Sequence, residues 1–325
     1  MKKDASDWSC PSHLQPQPDE VAFDLQATLD AVVMLKARIP DDAFTASILG
    51  TERVGSGTVI REDGLIVTIG YLITEAESLW ITTNDGTVVP GHPLAFDFAS
   101  GLGLVLPLGP LPVSPLARGS AATLDAGDDV IVIGGGGQRH ALTTQVFARR
   151  GFAGYWEYVL DEALFTTPPH PAWSGAALVD DGGRLVGVGS LFVQEEFDGE
   201  AVKGNMFVPI DLLAPILDAM VTSGRPPGPG RAWLGMYTVD HDGGLVVSAL
   251  ADGGPAEQAG VQPGDIVVEV AGERVGELAE FFRRVWRLGP PGTQVPLTLS
   301  RGGTRIQVVV RAGNRSDFLR KPRLQ

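Results

Sequence analysis

Between Val54 and Leu213 the apolar positions fall in short runs set apart by turn signals: GSGTVI, LIVTIG, SLWITT, GLGLVLPL, DVIVIG, WEYVL, AALVDD, RLVGVGS and NMFVPI. Many of the runs are bounded by EDG, NDG or DDGG, where glycine accepts the positive φ of a hairpin turn. Strands this short and this evenly spaced predict a closed or sandwiched antiparallel architecture of about 160 residues, such as a double barrel. The preceding stretch, VAFDLQATLDAVVMLKA, places Leu25, Leu29 and Val32 near one helical face and ends in a β-like AVVML, which predicts a helix leading into a first strand. After the strand-rich region, IDLLAPILDAMVTSG reads as a short helix ending at Gly224, and RPPGPG, residues 225–230, as a linker.

The pattern changes beyond the linker. Residues 231–312 read as strand WLGMYTV, strand GLVVSAL, helix GPAEQAG, strand DIVVEVAG, helix GELAEFFRRVWRLG and the hairpin VPLTLSRGGTRIQVVV. The chain therefore divides into a leader (1–20), a barrel domain with its N-terminal helix (21–224), the linker, an α+β domain (231–312) and a tail (313–325). The polar leader and the polar tail are expected to be disordered and flexible.

Composition narrows the function classes. The chain has 325 residues and a net charge of −14, a surface that repels phosphate backbones and anionic lipid, so nucleic acid and membranes are not expected partners. Cys10 is the one cysteine, which rules out an intrachain disulfide. The first residues lack the apolar run of a secretory signal, and no stretch approaches the roughly 20 apolar residues of a membrane span. The expectation is a cytoplasmic protein, with export by an unusual route as the alternative. No metal or cofactor is expected; the run Gly134–Gly137 lacks the lysine and the strand-to-helix context of a phosphate loop.

Four segments, in order, resemble the HtrA/DegP family of trypsin-like serine proteases with a PDZ domain. They are GSGTVIREDGLIVT, PAWSGAALVDDGGRLVGV around Ser174, GNMFVPIDLL, and WLGM followed by GGPAEQAGVQPGDIVVEVAGERV. The resemblance covers about Ala31 to Ala312. It implies a mostly β fold, a chymotrypsin-like double β-barrel followed by an α+β PDZ domain.

Acyl transfer by serine requires a base, a group that orients the base, and backbone donors for the oxyanion. Set against the family pattern, Tyr71 in IVTIGYLI stands at the base position, and a phenol is a poor general base at neutral pH. In DFASGLGLV, Asp97 stands at the first, non-catalytic position and Gly101 where the orienting carboxylate belongs. Ala172 replaces the glycine two residues before Ser174, an oxyanion-hole position, with bulky Trp173 between them. Ser174 then reads as a relic nucleophile. Substitute bases are weighed and set aside: His170 is expected on the loop surface, His92 in a polar loop, and Lys203 as a solvated charge.

The PDZ segment keeps its parts. Such domains add an extended peptide to a sheet edge and hold its C-terminal carboxylate on backbone N–H groups. The resemblance assigns that loop to Trp233, Leu234, Gly235 and Met236. The helix around Phe281, Phe282 and Val285 forms the other wall, with one phenylalanine expected to be buried and the other to face the peptide. The implied function is binding by a catalytically inactive protein, a chaperone-like or scaffold subunit for C-termini or unfolded peptides. The family also implies a trimer-type homo-oligomer, or a mixed oligomer with an active paralogue or enzyme subunit. The alternatives are an active, atypical serine endopeptidase using Ser174 with a substitute base, and a purely structural subunit of an enzyme complex.

Overall fold

The computed structural model describes residues 8–197, 199–241 and 244–320. These residues form two compact units: one contains the residues up to Arg150, Glu162–Pro226 and Arg320, the other Gly151–Asp161 with Pro227–Leu319.

In the first unit, helix α1 (Leu25–Asp30) starts where the Asp24 side chain accepts a hydrogen bond from the Ala27 N–H, and it buries Leu25 and Leu29. The chain passes directly into β1 (Val32–Arg38). There Val33, Leu35 and Ala37 turn inward while Lys36 and Arg38 face out, the period of two that a barrel wall requires. A short helix α2 (Ala46–Leu49) follows. With β2 (Glu52–Val59), β3 (Ile66–Ile69), β4 (Ser78–Thr82), β5 (Val88–Phe96) and β6 (Leu102–Pro107), strand β1 closes a barrel in the order β1-β2-β3-β6-β5-β4.

A second barrel runs β10-β11-β12-β9-β8-β7, built from β7 (Asp129–Ile133), β8 (Ala141–Gly154), β9 (Tyr158–Thr167), β10 (Ala177–Val179), β11 (Leu185–Phe197) and β12 (Glu200–Pro209). Its core is apolar, with Val130, Val132, Val146, Leu164, Leu178 and Phe207 in one cluster. Closure leaves no open sheet edge in either barrel. Helix α3 (Leu217–Ser223) ends at Gly224, in the left-handed conformation.

The second unit is a sheet in the order β13-β14-β15-β17-β18, with β16 paired to β15. Its elements are β13 (Met236–His241), β14 (Gly244–Leu250), α4 (Pro255–Gln258), β15 (Ile266–Val270), β16 (Glu273–Arg274), α5 (Leu278–Leu288), β17 (Gln294–Arg301) and β18 (Thr304–Arg311). Helix α5 buries Leu278, Phe281, Phe282 and Val285, an i, i+3, i+4, i+7 stripe, in a core shared with Leu234, Met236, Leu245 and Leu297. The turn end of the β8–β9 hairpin joins this unit, with Val159 in the same core.

Both ends of the chain depart from expectation. The described part of the leader is ordered: the Cys10 N–H donates to the Arg139 carbonyl at 2.7 Å, and Gln138 Nε2 donates to the Pro16 carbonyl at 3.1 Å. Trp8 packs edge-on to His170, with ring centroids 4.7 Å apart. Residues 1–7 lie outside the described residues. The described part of the tail, up to Arg320, is also held, by Phe318 against Trp233 at 4.7 Å and by the Arg320 N–H donating to Glu75 Oε1 at 2.9 Å; residues 321–325 lie outside the described residues. Polar composition misleads in both places because these segments are fixed by backbone hydrogen bonds and single aromatic anchors. A count of apolar residues does not register either.

Candidate functional site

The serine turn is built by a glycine. Gly175 has φ +72°, and a β-carbon there would lie 2.0 Å from the Ser56 carbonyl, so the turn admits no side chain at this position. The Ser56 N–H donates to the Ser174 carbonyl at 2.8 Å and the Gly175 N–H to the Gly189 carbonyl at 2.8 Å, fixing Ser174 on its loop.

Tyr71 and Ser174, 103 positions apart in the chain, meet here. The Ser174 hydroxyl donates to the Tyr71 phenol oxygen at 2.6 Å, and the phenol donates its own proton to the Ser190 carbonyl at 2.8 Å. Burial pushes the Tyr71 phenol up to about 12, against the downward pull of hydrogen bonds from Ser174 and Trp173. A neutral phenol cannot take the serine proton; only the phenolate can. Forming it at pH 7 costs about 7 kcal/mol at 1.36 kcal/mol per pKa unit, and it also sacrifices the bond to Ser190. Tyr71 is held in this pose by Arg53, whose Nη1 donates to the Tyr71 carbonyl at 2.6 Å. Burial brings the Arg53 guanidinium down to about 10, opposed by the charge of Glu75.

Position 101, where the family resemblance would put an orienting carboxylate, offers none. Gly101 has no side chain, and its carbonyl accepts from the Gly70 N–H at 2.7 Å. The nearby Asp97 carboxylate is spent on its own turn, accepting from the Ala99 N–H at 3.2 Å and the Ser100 N–H at 2.8 Å.

The Ala172 N–H, which the resemblance would assign to an oxyanion hole, donates to His170 Nδ1 at 3.0 Å and is therefore engaged. Trp173 is half-buried and packs against Phe192, with centroids 5.6 Å apart. His170 corrects an expectation: it is fully buried, not on the loop surface. Its Nε2 lies 3.1 Å from the His140 carbonyl and its backbone N–H donates to Asn205 Oδ1 at 2.6 Å. With Nδ1 accepting from the Ala172 N–H, Nε2 carries the proton and donates it as a hydrogen bond to the His140 carbonyl, so neither ring nitrogen is open to Ser174. Burial lowers His170 to about 4. Lys203 is exposed on β12, and His92 sits on β5 opposite Leu106.

The second constellation is the Trp233-Leu234-Gly235-Met236 loop. Gly235, at φ +72°, turns consecutive N–H groups toward one point. Phe281 and Phe282, one of which is expected to be buried and the other to face a peptide, are both buried, at 0% and 1% exposure, in a core that Val159 of the β8–β9 hairpin also enters. Val285 is buried beside them. Sequence reasoning passed over Glu157, whose carboxylate accepts from the Leu234, Gly235 and Met236 N–H groups at 3.0, 2.7 and 3.1 Å. Burial pushes the Glu157 carboxyl up to about 7, opposed by these N–H groups and by the charge of Arg315. Among the described residues no group of His, Cys, Asp and Glu side chains is arranged to hold a metal ion.

Residues 55–188 match a trypsin-like peptidase domain and residues 232–311 a PDZ domain. A probable periplasmic serine endoprotease DegP-like protein of Hahella chejuensis is 24% identical over 276 residues, 81% of this chain and 57% of that protein. Its counterpart in Pseudomonas fluorescens is 26% identical over 276 residues, 81% and 56%. The chain thus spans little more than half the length of the curated relatives it matches. Both are named periplasmic, and the expectation of a cytoplasmic protein finds no support in them.

Among solved structures, an HtrA-type protease AlgW with a decapeptide aligns at a TM-score of 0.55 and 19% identity, over 92% of this chain and 99% of that one. A serine endoprotease from Yersinia pestis aligns at 0.53 and 22%, over 90% and 99%. These likenesses establish the fold. With the two domain matches in this order and the relatives running across both, the chain belongs to the HtrA/DegP family of trypsin-like peptidases carrying a PDZ domain.

Proposed function

We propose that this family member no longer cleaves peptide bonds and works by binding, taking extended peptides or C-termini at its PDZ loop as a chaperone-like or scaffold subunit. The observation that carries the reading is the Ser174–Tyr71 hydrogen bond of 2.6 Å to a phenol pushed up to about 12. The serine is held by a group that cannot deprotonate it. Two further features support the reading: Gly101 leaves no carboxylate to orient a base, and the Ala172 N–H is engaged by His170. Triad members act as a unit, so a lone serine contributes little.

Peptide binding is supported by the three converging N–H groups of the Leu234–Met236 loop. A trimer-type homo-oligomer, or a mixed one with an active paralogue, is the assembly we propose on the family resemblance.

The test is incubation of the full chain and of Ser174→Ala with fluorescein-labelled casein. The expected result is no increase in acid-soluble fluorescence over buffer from either protein. Fluorescence released by the wild type and lost in Ser174→Ala would make the chain an active serine endopeptidase and overturn the proposal.

A further inference from the structure

The carboxylate-binding loop of the second unit already holds a carboxylate from its own chain. At the turn of the β8–β9 hairpin, Glu157 accepts four hydrogen bonds from three consecutive backbone N–H groups: Leu234 to Oε2 at 3.0 Å and to Oε1 at 3.2 Å, Gly235 to Oε1 at 2.7 Å, and Met236 to Oε1 at 3.1 Å. A peptide C-terminus presents the same chemical group to such a loop.

The backbone of the hairpin continues the likeness. Two residues before Glu157, the Tyr155 carbonyl accepts from the Thr238 N–H at 3.2 Å. A step from 157 back to 155 on the hairpin matches a step from 236 to 238 on β13, which is the register of an antiparallel strand being added to that edge. The Tyr155 ring meets Tyr237 edge-on at 6.1 Å. Beyond the turn, Val159 enters the core that holds Leu234, Met236, Phe281 and Phe282, and Asp161 pairs with Arg283 of α5 at 2.6 Å.

Glu157 adopts φ +62°, a left-handed conformation that disfavours a residue with a β-carbon. Its carboxylate is also taken from water. A three-residue hairpin loop takes a left-handed residue at its last position as ordinary turn geometry, but nothing in the turn itself offsets the burial of a carboxylate; the loop N–H groups do.

We propose that Tyr155-Trp156-Glu157 is a tethered surrogate ligand of the PDZ loop, standing where the last three residues of a peptide with a free carboxylate dock, so that such a peptide binds only by displacing the hairpin tip. This rests on the reading of the loop as a peptide site. A tethered ligand competes at an effective concentration in the mM range, independent of protein concentration. The wild-type chain is therefore a weak binder until the tip is withdrawn, and a partner that pulls the hairpin away opens the site.

The test is fluorescence anisotropy with the full-length protein. The probe is a fluorescein-labelled peptide with the chain's own sequence 148–156 followed by one valine carrying a free carboxylate; the amidated peptide is the control. Glu157→Ala is expected to bind the free-acid probe at least tenfold more tightly than wild type. Glu157→Gln, which keeps the side chain's size and one acceptor oxygen but not its charge, is expected to fall between them and guards against misfolding of the alanine variant. The amidated probe is expected to bind none of the three. Equal affinity of wild type and both variants for the free acid overturns the surrogate while leaving the peptide site intact. Absence of binding by all three overturns the peptide site, and the surrogate with it.

Discussion

At the residue scale, the departures from the family pattern around Ser174 were legible and their surroundings were not. Tyr71 and Gly101 are visible as misfits in a known pattern, and the structure joins Tyr71 to Ser174 by a direct hydrogen bond. His170 is the opposite case. Its local sequence, HPAW, reads as a surface turn, but burial comes from the His140 carbonyl, Asn205 and Trp8, 30 or more positions away. No pattern within the turn encodes those partners. The consequence is a pH dependence of stability. His170 falls to about 4 in the folded chain against an ordinary 6.5, so the unfolded chain binds the extra proton between those values. Stability is full above pH 6.5 and is lost as pH falls toward 4, by up to about 3 kcal/mol at 1.36 kcal/mol per pKa unit. Urea unfolding between pH 7.5 and 4.5 should show this loss in wild type and a smaller one in His170→Gln. Parallel curves would remove His170 as the cause.

At the element scale, strands and helices followed from periodicity, because a barrel wall and an amphipathic helix each write their burial into a local repeat. The WLGM loop was legible only through the family resemblance that assigned it, and the structure places Gly235 there at φ +72°. Glu157 was not: WEY reads as the start of a strand, and its partner loop begins 77 positions later.

The leader was misread for a related reason. Cys10 is buried at 3% exposure, and burial raises its thiol. A disordered leader would expose that thiol; a docked one hides it. Ellman's reagent should therefore react slowly with the native chain and rapidly, to one thiol per chain, after unfolding in guanidinium. Rapid stoichiometric reaction of the native chain would show the leader undocked.

At the scale of the whole molecule, two closed barrels and a PDZ domain preserve the family's frame while the serine turn and the WLGM loop are each engaged by a group of the same chain. The serine hydroxyl is held by a phenol, and the carboxylate loop by a glutamate. The proposal that binding outlives cleavage needs the two to make independent demands on such a frame, and a substitution at Tyr71 leaves a sheet edge about 160 residues later in the chain untouched. The order of domains was readable from motifs in sequence because each motif is local. The filling of both sites was not, because each depends on a long-range contact.

The central claim is that Ser174 is not a nucleophile, and intact-mass spectrometry after incubation with a fluorophosphonate tests it directly. Such a probe requires an activated serine but no particular peptide substrate. The account predicts an unchanged mass for the wild-type chain across pH 6 to 9, indistinguishable from Ser174→Ala. A stoichiometric adduct that maps to Ser174 and is absent from Ser174→Ala would contradict it.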